Sequence, residues 1–170
     1  IIMLIAIPGV ANVYVSECMA DNDNTLLDVD GDSSDWIELY NDSSSVADLT
    51  GWYLTDTITN LTRWALPPIT IPAKGFLIVF ASDKDHSLAG AELHTNFKLS
   101  ASGETIALIH PDGTTAESRI TFPEQLEDVS YGYGFSGGSS TSTVAVIELS
   151  GTGMLQAPTP GAPNTAINYI

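Results

Sequence analysis

Six short runs of β-branched and aromatic residues, none longer than seven, limit what this chain can build: VYVSECM (13–19), WIELY (36–40), GWYLT (51–55), FLIVFA (76–81), TIALIH (105–110) and VAVIEL (144–149). Stretches of that length and composition suit strands. Turn chemistry cuts them apart, as DGD at 30–32, Pro67-Pro68, PAKG at 72–75, SASG at 100–103 and PDG at 111–113. Glycine admits positive φ there, and proline fixes φ and withholds a donor. No window of about a dozen residues shows a helical apolar period, so little helix is expected. Half-buried strands must stack their apolar faces, which predicts an antiparallel sandwich of about seven or more strands. The 170 residues suffice for one such domain, since chains near this length bury roughly 70% of their unfolded surface.

Charge narrows the partners. Twenty-one acidic residues against five basic ones give a net charge of −16, while 44% of the chain is apolar. That combination describes a globular protein with an acidic coat rather than a disordered acidic tail. Such a coat repels phosphate backbones and anionic lipid, which removes nucleic acid from the expected partners. Cys18 is the only cysteine, so no internal disulfide is possible and it reads as a small buried hydrophobe. The acidic, lysine-poor, Ser/Thr/Gly-rich composition suits an extracellular or cell-surface protein.

Asp21, Asp23, Asp28, Asp30, Asp32 and Asp35 fall within fifteen positions, yet the first lysine or arginine from the N-terminus is Arg63. In DVDGDSSD (28–35), carboxylates alternating around Gly31 can converge on a hard cation. Calcium is therefore the candidate cofactor, with Asp28, Asp30, Asp32 and Asp35 as ligands and Asp21 or Asp23 in reserve. The spacing departs from an EF-hand loop, because Gly31 is fourth counting from Asp28 instead of sixth. The competing reading is a solvated acidic loop.

The order and spacing of DWIELYN, DLTGWYLTD, RWALPPITIPAKGFLIVFAS, ELHTNFKLSASGETIALIHPDG and the closing PTPGAPN resemble the lamin tail domain family, the immunoglobulin-like module of nuclear lamins and of many exported bacterial proteins. The resemblance runs from residue 13 to about 164. It implies an all-β, immunoglobulin-like antiparallel β-sandwich without catalytic activity of its own, with Trp36 and Trp52 as packing residues. The expected organisation is an N-terminal apolar arm over 1–12, the sandwich over 13–164 and a C-terminal tail over 165–170.

The arm, IIMLIAIPGVA, opens the chain with eleven uncharged residues. It is too short to span a bilayer, which needs about 20 apolar residues, and Pro8-Gly9 would break a helix. A signal remnant is one reading, given the small residues Gly9 and Ala11. Otherwise an apolar strand must be buried. Its own sandwich can hold it, or Ile1, Ile2, Met3, Leu4, Ile5 and Ile7 can add a strand to a neighbouring copy. A head-to-tail contact of that kind does not close on itself and generates a filament.

YGYGFSGGSS (131–140) carries two decoys, a dinucleotide fingerprint without its helix and a nucleophile-elbow pattern whose histidines all precede Ser136. A loop or hairpin tip is expected instead. His86, His94 and His110 lack zinc spacing, and His94 is expected on a strand surface or turn. Asn41-Asp42-Ser43 and Asn60-Leu61-Thr62 are N-glycosylation sequons, making Asn41 and Asn60 candidate acceptors. The leading expectation is a non-enzymatic extracellular structural protein, a self-associating subunit of a fibre or surface assembly. The alternative is a binding or adhesion module for glycans or cell surface, part of a larger exported protein.

Overall fold

A computed structural model describes residues 13–137, 147–155 and 157–164. The arm, residues 1–12, and the tail, 165–170, lie outside the described residues. Among the described residues there are eleven strands and no helix, hence no helix long and apolar enough to cross a membrane. They are β1 (Val13–Met19), β2 (Asp35–Asn41), β3 (Ala47–Asp48), β4 (Tyr53–Thr55), β5 (Trp64–Ala65), β6 (Thr70–Ile71), β7 (Phe76–Ala81), β8 (Glu104–Ile109), β9 (Ala116–Phe122), β10 (Tyr131–Gly137) and β11 (Ile147–Met154).

A five-stranded antiparallel sheet, order β11-β10-β1-β2-β7, faces a four-stranded one, order β5-β4-β8-β9, with β3 and β6 as a small pair. This is the expected all-β immunoglobulin-like sandwich. The seam between the sheets is closed where Val15 N–H donates to Ser118 Oγ across 3.1 Å. Between the layers lies one apolar cluster that includes Val15, Cys18, Ile37, Leu39, Leu54, Trp64, Val79, Ile106 and Leu108.

A bulge decides which residues of β1 reach that core. Strict alternation in VYVSECM would place Val13, Val15, Glu17 and Met19 on one face. The register shifts between Val15 and Glu17, so Cys18 turns inward while Glu17 and Met19 turn outward. Part of the outer face of the five-stranded sheet is apolar and buried as well. Met19, Trp36 and Phe80 form a second cluster there, sealed by Leu26 and Ile78. Each of these large side chains contributes roughly 1.5–3 kcal/mol by burial before entropy costs. Trp36 thus packs as expected, but on the outer face, and Ile37 and Leu39 are the inward residues of β2.

YGYGFSGGSS is a correction. Its first seven residues are β10, paired with β11 on one side and β1 on the other, rather than a loop. Gly132 makes this possible, because a Cβ there would lie 2.4 Å from the Ser16 carbonyl oxygen. Residues 138–140 lie outside the described residues. So do 144–146 of VAVIEL, whose remaining residues open β11.

Candidate functional site

The acidic stretch forms the loop between β1 and β2, and Asp28 organises it. Its Oδ1 accepts the amides of Asp30 and Asp32, both at 3.0 Å, while its Oδ2 accepts the Ser34 hydroxyl at 3.0 Å. Gly31, at φ +86, supplies the left-handed turn. Leu26 anchors the loop in the outer apolar cluster, and Asn22 ties its two ends by donating to the carbonyls of Leu26 and Ser34.

Asp28, Asp30 and Asp32 converge as expected, with carboxylate oxygens within 4.8 Å of one another. The group facing them is Lys84, from the segment after β7. Its Nζ stands 2.7 Å from Asp28 Oδ2, 2.7 Å from Asp30 Oδ2 and 2.9 Å from Asp32 Oδ2. Asp83 and Asp85 on either side adopt positive φ, 63° and 54°, a sparsely populated backbone that aspartate tolerates better than most residues. Burial would raise the Asp28 carboxyl, but hydrogen bonds from Lys84, the Asp32 amide and Ser34 overcome it and hold the pKa at about 2. Hydrogen bonds to Asp28 and Asp30 raise the Lys84 ammonium above its ordinary value. The oxygen donor set suits a hard cation, but the ammonium takes the same point of convergence.

Asp35, expected as the fourth ligand, is placed elsewhere. It opens β2, and its Oδ2 accepts the Leu99 amide at 3.1 Å. Burial is the main influence on it and lifts its pKa to about 6, against the Leu99 hydrogen bond. Asp21 and Asp23 also stay outside the cluster and join the loop to residue 128. The Asp21 carbonyl accepts the Asp128 amide, and the Asp23 amide donates to Asp128 Oδ1. Of the two sequons, Asn60 is exposed in the loop after β4. Asn41 is fully buried, and its amide nitrogen donates to the carbonyls of Ser45, Ile71 and Pro72. That side chain is a structural tie in the folded state, not an accessible glycan acceptor.

His94 is a further correction, being 1% exposed rather than on a surface. Its Nδ1 lies 2.9 Å from Ser82 Oγ and its Nε2 lies 3.1 Å from Glu92 Oε1, which also accepts the Val29 amide at 2.7 Å. The Glu92 carboxylate is an acceptor, so Nε2 is the nitrogen that donates to it. This chain of contacts ties the segment between β7 and β8 to the acidic loop. Beside it, Ser33, Ser34, Asp35, Ser82, Lys84 and Lys98 line a polar pocket of about 300 Å³.

The residues that sequence reasoning missed lie on the outer face between these clusters. Glu17 and Glu38 are direct cross-strand partners, and both are fully buried. Residues 157–164, from the PTPGAPN segment, cover them. The Thr159 amide and hydroxyl donate to Glu17 Oε1 and Oε2, each at 3.1 Å, and the Gly161 amide donates to Glu38 Oε2 at 2.7 Å. Asn164 Nδ2 locks the segment by donating to the carbonyls of Ser16 at 2.9 Å and Tyr133 at 3.0 Å. Ser16 Oγ lies 2.6 Å from Glu38 Oε1. Burial pushes Glu38 up to about 8 against the Ser16 and Gly161 hydrogen bonds, with the Glu17 charge adding to the rise. Burial raises Glu17 as well. Glu38 is accordingly mostly protonated at neutral pH. A signal existed in the sequence: a glutamate in the middle of each of two apolar runs, and downstream a proline-braced segment rich in backbone donors.

A family model described as the lamin tail domain matches residues 8–122, from within the arm to the last residue of β9. No curated protein matches the chain.

Proposed function

The chain belongs to the lamin tail domain family, and on that footing we propose that it is a non-enzymatic structural protein. It works outside the cell or on its surface and joins identical copies into a fibre or surface assembly by adding its N-terminal arm to the neighbouring subunit. The observation that carries this reading is where the arm joins the fold. The arm is followed directly in sequence by β1, a central strand paired with β2 at six positions and with β10 at two. A pull on the arm therefore loads a whole ladder in shear, and the sheet resists it together with the core behind it. An arm on an edge strand would instead peel one row of bonds.

Sedimentation velocity and electron microscopy of the full chain test the proposal against a variant lacking residues 1–7. Concentration-dependent polymers that vanish in the truncated chain, while its fold is retained, are the expected result. Monomers in both refute it.

The polar pocket favours a second reading, a glycan-binding module. Three serines, two lysines and two aspartates among its lining offer the mixed donors and acceptors that sugar hydroxyls require. Titration calorimetry against soluble cell-surface oligosaccharides checks it, with Ser82→Ala and Lys98→Ala expected to abolish any heat observed.

A further inference from the structure

The fold has two unlike ends. Val13, where the arm joins, pairs with Asn41 at one end of the five-stranded sheet, while Met19 pairs with Trp36 at the other. The length of β1, Val13–Met19, separates them by about 20 Å. From the Met19 end project the acidic loop, the segment after β7 and the loop between β9 and β10. They are bound together by the Val29 amide on Glu92 and by the contacts of Asp21 and Asp23 with Asp128. Four of the six large exposed hydrophobics among the described residues lie on these three loops, Leu27 at 57%, Val29 at 79%, Leu88 at 72% and Leu126 at 53%, while Ile58 lies in the loop between β4 and β5. At the arm's end, the loop after β2 carries the exposed Val46.

Carried on three loops that are hydrogen-bonded to one another, these apolar side chains offer material for a contact at one end of the fold. Here they stand among aspartates and glutamates that repel the acidic body of any second copy. The segment able to approach is one without charge, and residues 1–12 contain no Asp, Glu, Lys or Arg. We infer that the apolar tip formed by Leu27, Val29, Leu88 and Leu126 is the receptor for residues 1–7 of a second copy, stacked head to tail along the axis of β1. This rests on the fibre reading above and names the surface it uses. β1 begins at Val13, at the end of the sheet opposite the tip, and the direct path back over the outer face is filled by residues 159–164 on Glu17 and Glu38. Residues 1–7, extended, would span about 20 Å. Stacking with the same contact at each step gives an open filament.

Val29→Ser/Leu88→Ser removes apolar surface at two exposed positions without adding charge, and near-UV circular dichroism confirms that it is folded. The expected result is at least a tenfold rise in the concentration needed for assembly, approaching the effect of deleting residues 1–7. A second measurement mixes Ile5→Cys chains with Leu88→Cys chains, Cys18 being buried, and a disulfide-linked heterodimer is expected. If the serine variant assembles like the unmodified chain while the deletion does not, the receptor inference is overturned and the fibre reading stands. If a chain carrying both cysteines closes on itself as a monomer at high dilution, the arm docks in cis and the inference fails. If the unmodified chain never assembles, both fail.

Discussion

Glu38→Gln tests the physical account of the outer face most sharply. The Glu38 carboxyl moves from an ordinary value of 4.5 to about 8 on folding. The folded state therefore holds a proton that the unfolded chain releases. The stability Glu38 contributes is fully present below pH 4.5, falls as pH rises, and is lost above about 8. At about 1.4 kcal/mol per pH unit, that window is worth at most about 5 kcal/mol. Glutamine keeps the shape, and its amide can donate to Ser16 Oγ while its oxygen accepts the Gly161 amide, so nothing is left to ionise. Urea unfolding of both proteins at pH 5 and pH 9 isolates the effect, because the rest of the acidic coat titrates alike in each. The variant should be close to the unmodified chain at pH 5 and several kcal/mol more stable at pH 9, at unchanged m-value. The Asp28 shift runs the other way and acts only below about pH 4, outside that range. Parallel stability profiles for the two proteins between pH 5 and 9 would refute the argument that Glu38 is buried and protonated.

Other outcomes follow from the same contacts. Lys84→Ala leaves Asp28, Asp30 and Asp32 without their ammonium and should cost about 1.5–3 kcal/mol; millimolar calcium should restore the melting temperature of this variant and leave the unmodified chain unchanged in a comparison with chelator. Asn164→Ala removes the hydrogen bonds to the buried Ser16 carbonyl and the part-buried Tyr133 carbonyl and should cost roughly 2–3 kcal/mol, with limited proteolysis then cutting within 157–164 first. Gly132→Ala drives a Cβ onto the Ser16 carbonyl and should cost about 3 kcal/mol by denaturant titration, since backbone cannot move aside as a side chain does.

Much of the fold was legible because strand runs and turns are local. VYVSECM and FLIVFA are β1 and β7 with their ends unchanged, and the glycines of DGD, SASG and PDG all take positive φ. AESRITF went unread as β9 although its buried Ser118, Ile120 and Phe122 alternate with exposed Arg119 and Thr121; its apolar face is carried by too few residues to stand out. YGYGFSG was misread because glycine normally weakens a strand, whereas here Gly132 admits the close approach of β1.

The site was legible only in part, and the reason is distance along the chain. DVDGD announces that carboxylates will crowd around a tight turn, and they do. The group facing them lies 56 residues from Asp28, on a segment whose Lys84 looks like any other surface lysine. Glu17 meets Thr159 across 142 residues, and Asn164 meets Ser16 across 148. The sequence by itself determined the all-β class, the turns, the acidic coat and the convergence of Asp28, Asp30 and Asp32, each a matter of neighbours within a few residues. Tertiary structure alone decided that an ammonium faces that cluster, that Asp35 and Asn41 serve as ties, and that two glutamates are buried under a C-terminal clasp. A single bulge in β1 sets which face Glu17 takes, and no local pattern announces where a ladder slips by one residue.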